Sequence, residues 1–241
     1  MALNINLLPL LRTIASHSGR ALTFGVQRPL FSGHQMARVA NVDDAKEVVD
    51  QTDVFLALGF ARVESLDVSA YEGAEHIFDL NETSSPVHLI GAYDAVFTGG
   101  TLEHVFHVSH ALQHAARFVR PGGTLIHLGP SNNWINHGFY QLCPTLLLDF
   151  LAANDWVINE SLLIDTITRD PNHWRIKPAT HKVKAEGIRQ LHYVTARKTD
   201  GATSDRIPTQ RSYKAKHDGD VATPTQSNKF TPYDLIDGMR A

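Results

Sequence analysis

The chain contains 241 residues, with 22 basic and 25 acidic side chains and a formal net charge of −3 at pH 7. An apolar content of 43% with 20% charged residues excludes a wholly disordered chain. No apolar stretch approaches the roughly 18–20 residues that cross a bilayer, and the near-neutral charge does not favour nucleic acid as a partner. The single cysteine, Cys143, excludes an internal disulfide, so we expect a cytoplasmic protein in which Cys143 is a buried, inert thiol.

The first forty residues contain arginines but no acidic side chain. An acid-poor, arginine-bearing start is a feature of organelle transit peptides. The preferred interpretation is a short amphipathic helix over residues 7–16, because the first predicted strand follows soon afterwards. Residues 1–19 are therefore assigned to a lead-in helix.

From residue 20 onward, short apolar segments alternate with helical patterns. Strands are predicted over residues 21–26, 63–68, 75–80, 93–98, 124–128, 156–164 and 191–197. Helices are predicted over 44–58, with a break at Thr52 and Asp53, over 104–119 and over 144–153. The pattern predicts a doubly wound α/β domain over residues 20–198, whose mostly parallel seven-stranded sheet has an antiparallel hairpin at one edge. The few apolar residues after Thr199 predict a mostly flexible tail over 199–241.

Ligands of open parallel sheets bind where the carboxyl ends of the strands meet. Asp67 and Asp79 each follow a predicted strand, where a carboxylate accepts hydrogen bonds from ribose hydroxyls or an adenine amino group. The alternative is that each aspartate caps its own turn. Gly25 ends the first strand and lets a ligand approach the backbone closely. No G-x-G-x-x-G pattern follows it, which argues against a dinucleotide held by a pyrophosphate turn.

Four of the fourteen histidines lie between residues 104 and 114. His107, His110 and His114 share one face of the predicted helix. No acidic residue lies on that face, and the His-Glu-x-x-His pattern is absent. We interpret it as a solvated helix face, and the sequence predicts no metal site.

A polar and aromatic loop, residues 131–141, follows the fifth main strand at the same edge of the sheet. Within it His137 is the candidate general base, since histidine titrates near neutral pH. Tyr140 and Asn133 are candidates for orienting a substrate, and His104 is a second catalytic candidate. The alternative is a structural loop in which His137 bonds a backbone carbonyl.

Two longer motifs resemble those of a known family. The run YDAVFTGGTLEHV, residues 93–105, resembles the fourth-strand motif of class I S-adenosylmethionine-dependent methyltransferases. The segment AARFVRPGGTL, residues 115–125, resembles the motif that precedes their fifth strand. NHGFYQ, residues 136–141, is similar to a run in an uncharacterised branch of that superfamily. The resemblance covers roughly residues 20–197.

The resemblance implies a Rossmann-like methyltransferase fold and S-adenosylmethionine as cofactor. Gly25 matches the surviving glycine of the first-strand motif, against the methionine part of the cofactor, and Asp67 matches the acid that binds the ribose hydroxyls. The other implied contacts come from Asp79 and Leu80 on the adenine side and from Thr98, Gly99 and Glu103 at the methionine end. The chain departs from the family in having one glycine after the first strand instead of two or three.

The leading hypothesis is an S-adenosylmethionine-dependent methyltransferase that acts on a small molecule, with neither nucleic acid nor membrane as a partner. The second is a non-catalytic, methyltransferase-like binding or scaffold protein, because the glycine-rich turn is missing. A nucleotide-dependent oxidoreductase is a more distant alternative, which the missing dinucleotide fingerprint opposes.

Overall fold

The computed structural model describes residues 2–12, 19–40, 49–166, 175–178, 187–211 and 213. Its strands are β1 (Ala2–Leu3), β2 (Arg20–Phe24), β3 (Arg28–Pro29), β4 (Arg62–Asp67), β5 (His76–Ile77), β6 (Tyr93–Phe97), β7 (Val119–Asn132), β8 (Val157–Asp165), β9 (Arg175–Pro178) and β10 (Gln190–Arg197). Its helices are α1 (Leu8–Arg12), α2 (Gly33–Ala40), α3 (Gln51–Ala57), α4 (Val108–Phe118) and α5 (Pro144–Ala153), with 3-10 turns at Ile5–Leu7, Val87–Leu89 and Leu102–His104. Among these described helices, none has the length and hydropathy of a membrane span.

The main sheet has the strand order β5-β4-β2-β6-β7-β10-β8-β9. The first five strands pair in parallel, and β10 pairs antiparallel with both β7 and β8. The predicted doubly wound sheet with an antiparallel hairpin at one edge is confirmed. The segment joining the hairpin strands also contains β9, which adds a short outer strand to the seven expected.

Successive residues of the central strands point to opposite faces of the sheet and enter two separate apolar clusters. Leu22 and Val96 pack in one cluster, together with residues of α4 and α5. Ala21, Ala95 and Phe97 pack in the other, together with α3 and the first leucines of the chain. A sheet covered on both faces explains why these strands consist of apolar runs rather than alternating patterns.

The amino-terminal residues pack into the second cluster. Leu3, Leu8 and Leu10 are each at most 1% exposed. The Tyr193 hydroxyl donates a hydrogen bond to the Leu10 carbonyl at 3.0 Å. Helix α1 lies within the segment assigned to a lead-in helix, and residues 13–18 of that segment lie outside the described residues.

Acidic residues start helix α3 rather than interrupt it. Asp50 is the N-cap and accepts from the Asp53 backbone N–H, while the Asp53 carboxylate accepts from the Asp50 N–H. This capping box satisfies two backbone donors that the helix leaves open. The predicted break at Thr52 and Asp53 is therefore wrong, and residues 44–48 of the predicted helix lie outside the described residues.

The prediction of a solvated histidine face holds for His107, which is exposed, but is wrong for His114, while His110 is half-buried. His114 is fully buried; its Nδ1 lies 2.7 Å from the Ser85 hydroxyl, and its Nε2 lies 2.8 Å from the Glu82 carbonyl. His110 Nδ1 lies 3.0 Å from the Asn81 carbonyl. The segment after β5 covers this face, which sequence periodicity alone does not indicate.

Residues 199–211, the first part of the predicted flexible tail, contact α5 and the residues that follow it. The side chain of Asn154 is fully buried and donates to the carbonyls of Phe150 and Arg206, while its oxygen accepts from the Thr203 hydroxyl and the Arg206 N–H. Further along, Arg211 pairs with the buried Asp149 at 2.5 Å. Residues 214–241 lie outside the described residues.

Replacing Asn154 by alanine should detach this segment. Four hydrogen bonds of a buried side chain are lost, so we expect the free energy of unfolding to fall by about 3 kcal/mol. Urea denaturation measures the change. The matched control is Asn159→Ala, the same change at a half-buried position of β8. Equal losses in the two variants would contradict the anchoring role of Asn154.

Candidate functional site

The loops that follow β2, β4, β5, β6 and β7 all leave from one edge of the sheet. Phe24 at the end of β2 is in register with Leu66, and Asp67 is in register with Ile77. Because the five strands are parallel, their carboxyl ends gather where the sequence predicts the ligand site.

Gly25 and Asp67 lie side by side at this edge, as the sequence predicts. Gly25 has a φ of +71°, and its N–H donates to the Leu66 carbonyl at 2.8 Å. A Cβ added at Gly25 would lie 3.8 Å from Asp67 Oδ2 and 3.4 Å from Thr101 Oγ1. The missing side chain therefore leaves open the space between a carboxylate and a hydroxyl, at a backbone conformation that favours glycine.

Asp79 and Leu80 follow β5 at the same edge, where the Phe78 N–H donates to the Asp67 carbonyl at 2.8 Å. Asp79 Oδ1 accepts from the backbone N–H of Asn81 at 2.9 Å and from its side-chain amide at 2.8 Å. Leu80 is buried in the first apolar cluster. Asp79 thus makes the bond of a residue that caps its own turn, and Asp67 Oδ1 likewise accepts from the Ser69 N–H at 3.3 Å. The adenine-side role of Asp79 stays a prediction.

Gln27 is a buried polar residue at this edge that the sequence analysis did not identify. Its side-chain amide donates to the carbonyls of Phe24 at 3.0 Å, Gly25 at 3.3 Å and Gly99 at 3.2 Å. The amide thus joins the turn after β2 to the turn after β6. Within the described residues its Oε1 has no hydrogen-bond partner. A glutamine three residues after a strand carries no pattern that predicts such a bridge.

Thr101 makes a second link between the same two turns. Its hydroxyl donates to the Phe24 carbonyl at 2.6 Å. Gly99 tolerates no side chain here, since a Cβ would lie 2.3 Å from the Phe97 ring. Thr98 lies below the edge, 1% exposed, with its hydroxyl 3.0 Å from His127 Nδ1. The side chain of Thr98, the first residue after β6, therefore points towards the interior of the protein.

Glu103, His104 and His137 come together beside this turn. Glu103 is 0% exposed, and neither of its carboxylate oxygens has a hydrogen-bond partner among the residues described. His137 Nε2 lies 3.6 Å from Glu103 Oε1, and His104 Nε2 lies 3.8 Å from the same atom. Burial raises the pKa of Glu103 to about 7 and lowers that of His104. Three residues predicted for the site thus form one cluster, although a long stretch of sequence separates His137 from the other two.

The NHGFYQ run places His137 by folding onto the turn that holds Glu103. The Tyr140 N–H donates to the Glu103 carbonyl at 3.2 Å. A Cβ at Gly138 would lie 2.7 Å from the same carbonyl, so a glycine is required at that position. The ring of Trp134 packs edge-on against His137 with centroids 5.1 Å apart. His137 contacts a carboxylate and an indole here, not the backbone carbonyl of the structural alternative.

Tyr140 and Asn133 make internal hydrogen bonds. The Tyr140 hydroxyl donates to the Phe106 carbonyl at 2.7 Å, and the Asn133 amide donates to the Gly187 carbonyl at 2.7 Å. Both side chains hold the loop in place, and their role in orienting a substrate stays a prediction. Cys143 is exposed at the start of α5, so the prediction of a buried thiol is wrong.

Two buried histidines lie on neighbouring strands beneath the cluster. His127 on β7 and His192 on β10 are both fully buried, with ring centroids 6.2 Å apart. Ser161 Oγ lies 3.0 Å from His192 Nε2. In the described part of the chain, His127 Nε2 and His192 Nδ1 have no partner. Burial lowers the pKa of His127 to about 3 and that of His192 well below its usual value, so both rings are neutral.

No family model matches the sequence, and no curated protein matches it. Similar solved structures include an S-adenosylmethionine-dependent methyltransferase from Mesorhizobium loti, at 13% identity over 80% of this chain and 98% of that one, with a TM-score of 0.48. The 1,6-didemethyltoxoflavin-N1-methyltransferase of Burkholderia thailandensis is 18% identical over 80% of this chain and 76% of its own, with a TM-score of 0.45. Geranyl diphosphate C-methyltransferase of Streptomyces coelicolor is 14% identical over 80% of this chain and 77% of its own, with a TM-score of 0.48.

The sheet has five parallel strands in the order β5-β4-β2-β6-β7, followed by the antiparallel strand β10 between β7 and β8. A mostly parallel sheet with an antiparallel pair towards one edge is what the sequence predicts. The Thr-Leu-Glu-His and Pro-Gly-Gly motifs flank α4, between β6 and the main part of β7. The chain has a doubly wound, Rossmann-like α/β fold with an antiparallel pair of strands towards one edge of the sheet.

The two buried histidines should make the protein sensitive to mild acid. Their pKa values in the folded protein lie below the ordinary 6.5, so the unfolded chain binds protons that the folded chain does not. Stability should therefore fall as the pH drops from about 6.5 towards 3, the range between the ordinary histidine pKa and that of His127.

The measurement is urea denaturation at pH 7 and pH 5. His127→Gln should lose about 2 kcal/mol less than wild type between these pH values. The control His88→Ala, at an exposed histidine, should lose as much as wild type. Equal pH dependence in His127→Gln and wild type would contradict the neutral, buried state of His127.

Proposed function

We propose that this protein is an S-adenosylmethionine-dependent methyltransferase that acts on a small molecule. The observation that carries the proposal is the contact geometry of Gly25 and Asp67 at the carboxyl edge of a class I methyltransferase sheet. A carboxylate beside a glycine with positive φ combines an acceptor for ribose hydroxyls with close access to the backbone. The cluster of Glu103, His104 and His137 at the same edge supplies a place for the acceptor.

The cofactor supplies a methyl group already activated by a sulfonium, so the protein's main task is to hold nucleophile and methyl carbon in line. Asp67 is the proposed partner of the ribose hydroxyls, and Gly25 and Gly99 border the methionine end. Thr101 fixes the turn that carries Glu103 to the turn that carries Gly25. A rigid link between these two turns keeps the bound acceptor aligned with the methyl group of the cofactor.

His137 is the proposed group that receives the acceptor's proton. Its side chain is 40% exposed, whereas that of Glu103 is fully buried, so His137 is the member of this pair that an acceptor reaches directly. Glu103 Oε1, 3.6 Å away, provides the countercharge when the imidazole becomes protonated. The exposed rings of Phe106 and Phe139, with centroids 5.8 Å apart, lie next to this pair in sequence and suit an acceptor with an apolar body.

A non-catalytic, methyltransferase-like binding protein is the second candidate, and Gln27 is the observation that favours it. Its amide donates to Gly25 and Gly99 carbonyls, which border the proposed methionine end. A ligand ammonium group in that position would compete with this internal donor. If the Gln27 amide keeps its hydrogen bonds to these carbonyls, the space beside Gly25 and Asp67 remains, but the cofactor does not bind there.

Substituting Asp67 by alanine should weaken cofactor binding. Loss of charge-assisted hydrogen bonds to the ribose should reduce the affinity for S-adenosylhomocysteine on the order of 10- to 100-fold. Isothermal calorimetry in the presence of a metal chelator measures it, with Asp200→Ala as the control at an exposed aspartate. No binding by wild type at millimolar ligand would support the non-catalytic alternative.

Substituting His137 by alanine should lower turnover by about 10²- to 10⁴-fold, the usual contribution of a general base. Cofactor affinity should stay unchanged, because His137 lies on the acceptor side. S-adenosylhomocysteine release with a panel of hydroxyl- and amine-bearing small molecules measures the rate. His34→Ala, at an exposed position of α2, is the control. A His137→Ala rate equal to that of wild type would remove His137 from the mechanism.

A further inference from the structure

Three metal-ligating atoms lie close together in the cluster of Glu103, His104 and His137. One carboxylate oxygen and two imidazole nitrogens are all within 4.8 Å of one another. In a tetrahedral zinc site with bonds of about 2.0–2.1 Å, neighbouring ligand atoms are about 3.3 Å apart. The observed separations from Glu103 Oε1 are 3.6 and 3.8 Å, so small side-chain rotations bring all three atoms into coordination.

The state of Glu103 is an independent sign of a missing partner. Its side chain is 0% exposed, and both oxygens lack a hydrogen bond in the described ranges. Burial of a carboxylate without a partner is costly, and a bound cation offsets that cost. On the far side, a Cβ at Gly129 would lie 3.6 Å from Oε2, so the glycine keeps this wall free of a side chain.

We propose that Glu103, His104 and His137 form a binding site for a divalent transition-metal ion, with Zn²⁺ as the ion that fits the donor set. Imidazole nitrogens suit zinc and its neighbours in the first transition row, whereas Mg²⁺ and Ca²⁺ prefer oxygen ligands. Glu103 forms the buried wall, and the side chains of His104 and His137 are 48% and 40% exposed. Three protein ligands with one open side are typical of a catalytic zinc site.

The role of this ion rests on the proposed transferase function. A hydroxyl acceptor bound at the open position loses its proton to solvent more readily, because the metal lowers its pKa. The resulting oxygen attacks the methyl carbon, a carbon–oxygen bond forms, and the carbon–sulfur bond breaks to leave a neutral thioether. In the metal-bound protein His137 is a ligand, and the metal replaces it in activating the acceptor.

Sequence spacing does not indicate this site. Glu103 and His104 are adjacent residues in a 3-10 turn, and the NHGFYQ loop brings in His137 from beyond β7. Metal motifs on helices place their ligands three or four residues apart, which directs attention to His107, His110 and His114 instead.

The test is zinc binding by the full chain without a histidine tag and without any cofactor. Protein stripped with a chelator is titrated with Zn²⁺ against a chromophoric competitor, and Co²⁺ substitution reports the coordination spectrum. Wild type and the control His34→Ala should each bind one equivalent. His137→Ala and His104→Ala should bind at least tenfold more weakly and lose the Co²⁺ spectrum. The two histidine substitutions are at partly exposed side chains. The third variant, Glu103→Gln, removes the carboxylate and keeps the size of this buried side chain.

Equal zinc affinity in wild type, His137→Ala and Glu103→Gln would overturn the proposal, because binding would then come from other histidines of the chain. Absence of binding to wild type would overturn it as well. Neither result affects the calorimetric test of Asp67, which contains a chelator. Conversely, zinc binding without cofactor binding would keep the metal site and remove its assigned role in methyl transfer.

Discussion

The parallel pairing of β5, β4, β2, β6 and β7 constrains the loop after each of these strands to one edge of the sheet. Every group proposed for function depends on that constraint. Gly25 follows β2, Asp67 ends β4, Glu103 follows β6, and His137 follows β7. Apolar clusters on both faces keep the sheet buried and leave this edge as the place where polar side chains gather.

Two hydrogen-bonded links join the turns at this edge of the sheet. The Thr101 hydroxyl and the Gln27 amide both join the turn after β2 to the turn after β6. Gly25 and Asp67 form the proposed nucleoside site. Glu103, a buried carboxylate, and the imidazoles of His104 and His137 form the proposed site for the acceptor and the metal ion.

The sequence predicts the elements whose signals are local. Helix α5 is found at its predicted bounds, since a proline at the start and an apolar decapeptide define it. The neighbouring positions of Gly25 and Asp67 follow from strand order, and the place of Glu103 after β6 follows from its motif. These features depend on pattern and parallel register, which a single sequence carries. The helix predicted to begin at His104 begins at Val108, because a 3-10 turn precedes it.

Other features depend on tertiary contacts that have no local pattern. Residues 199–206 are mostly polar, and the buried side chain of Asn154 binds their backbone. His114 is buried because the segment after β5 covers it. The bridge made by Gln27 and the approach of His137 to Glu103 likewise require the folded sheet. In each case one buried polar group meets partners far away in the chain.

The most direct test of the account is a crystal structure of the protein with S-adenosylhomocysteine at saturating concentration. The account predicts both ribose hydroxyls within about 3 Å of the Asp67 carboxylate and the methionine part against Gly25, with the Gln27 amide released from at least one of its carbonyls. A ligand bound elsewhere, or a hollow that stays without ligand while the Gln27 bridge is intact, would contradict it.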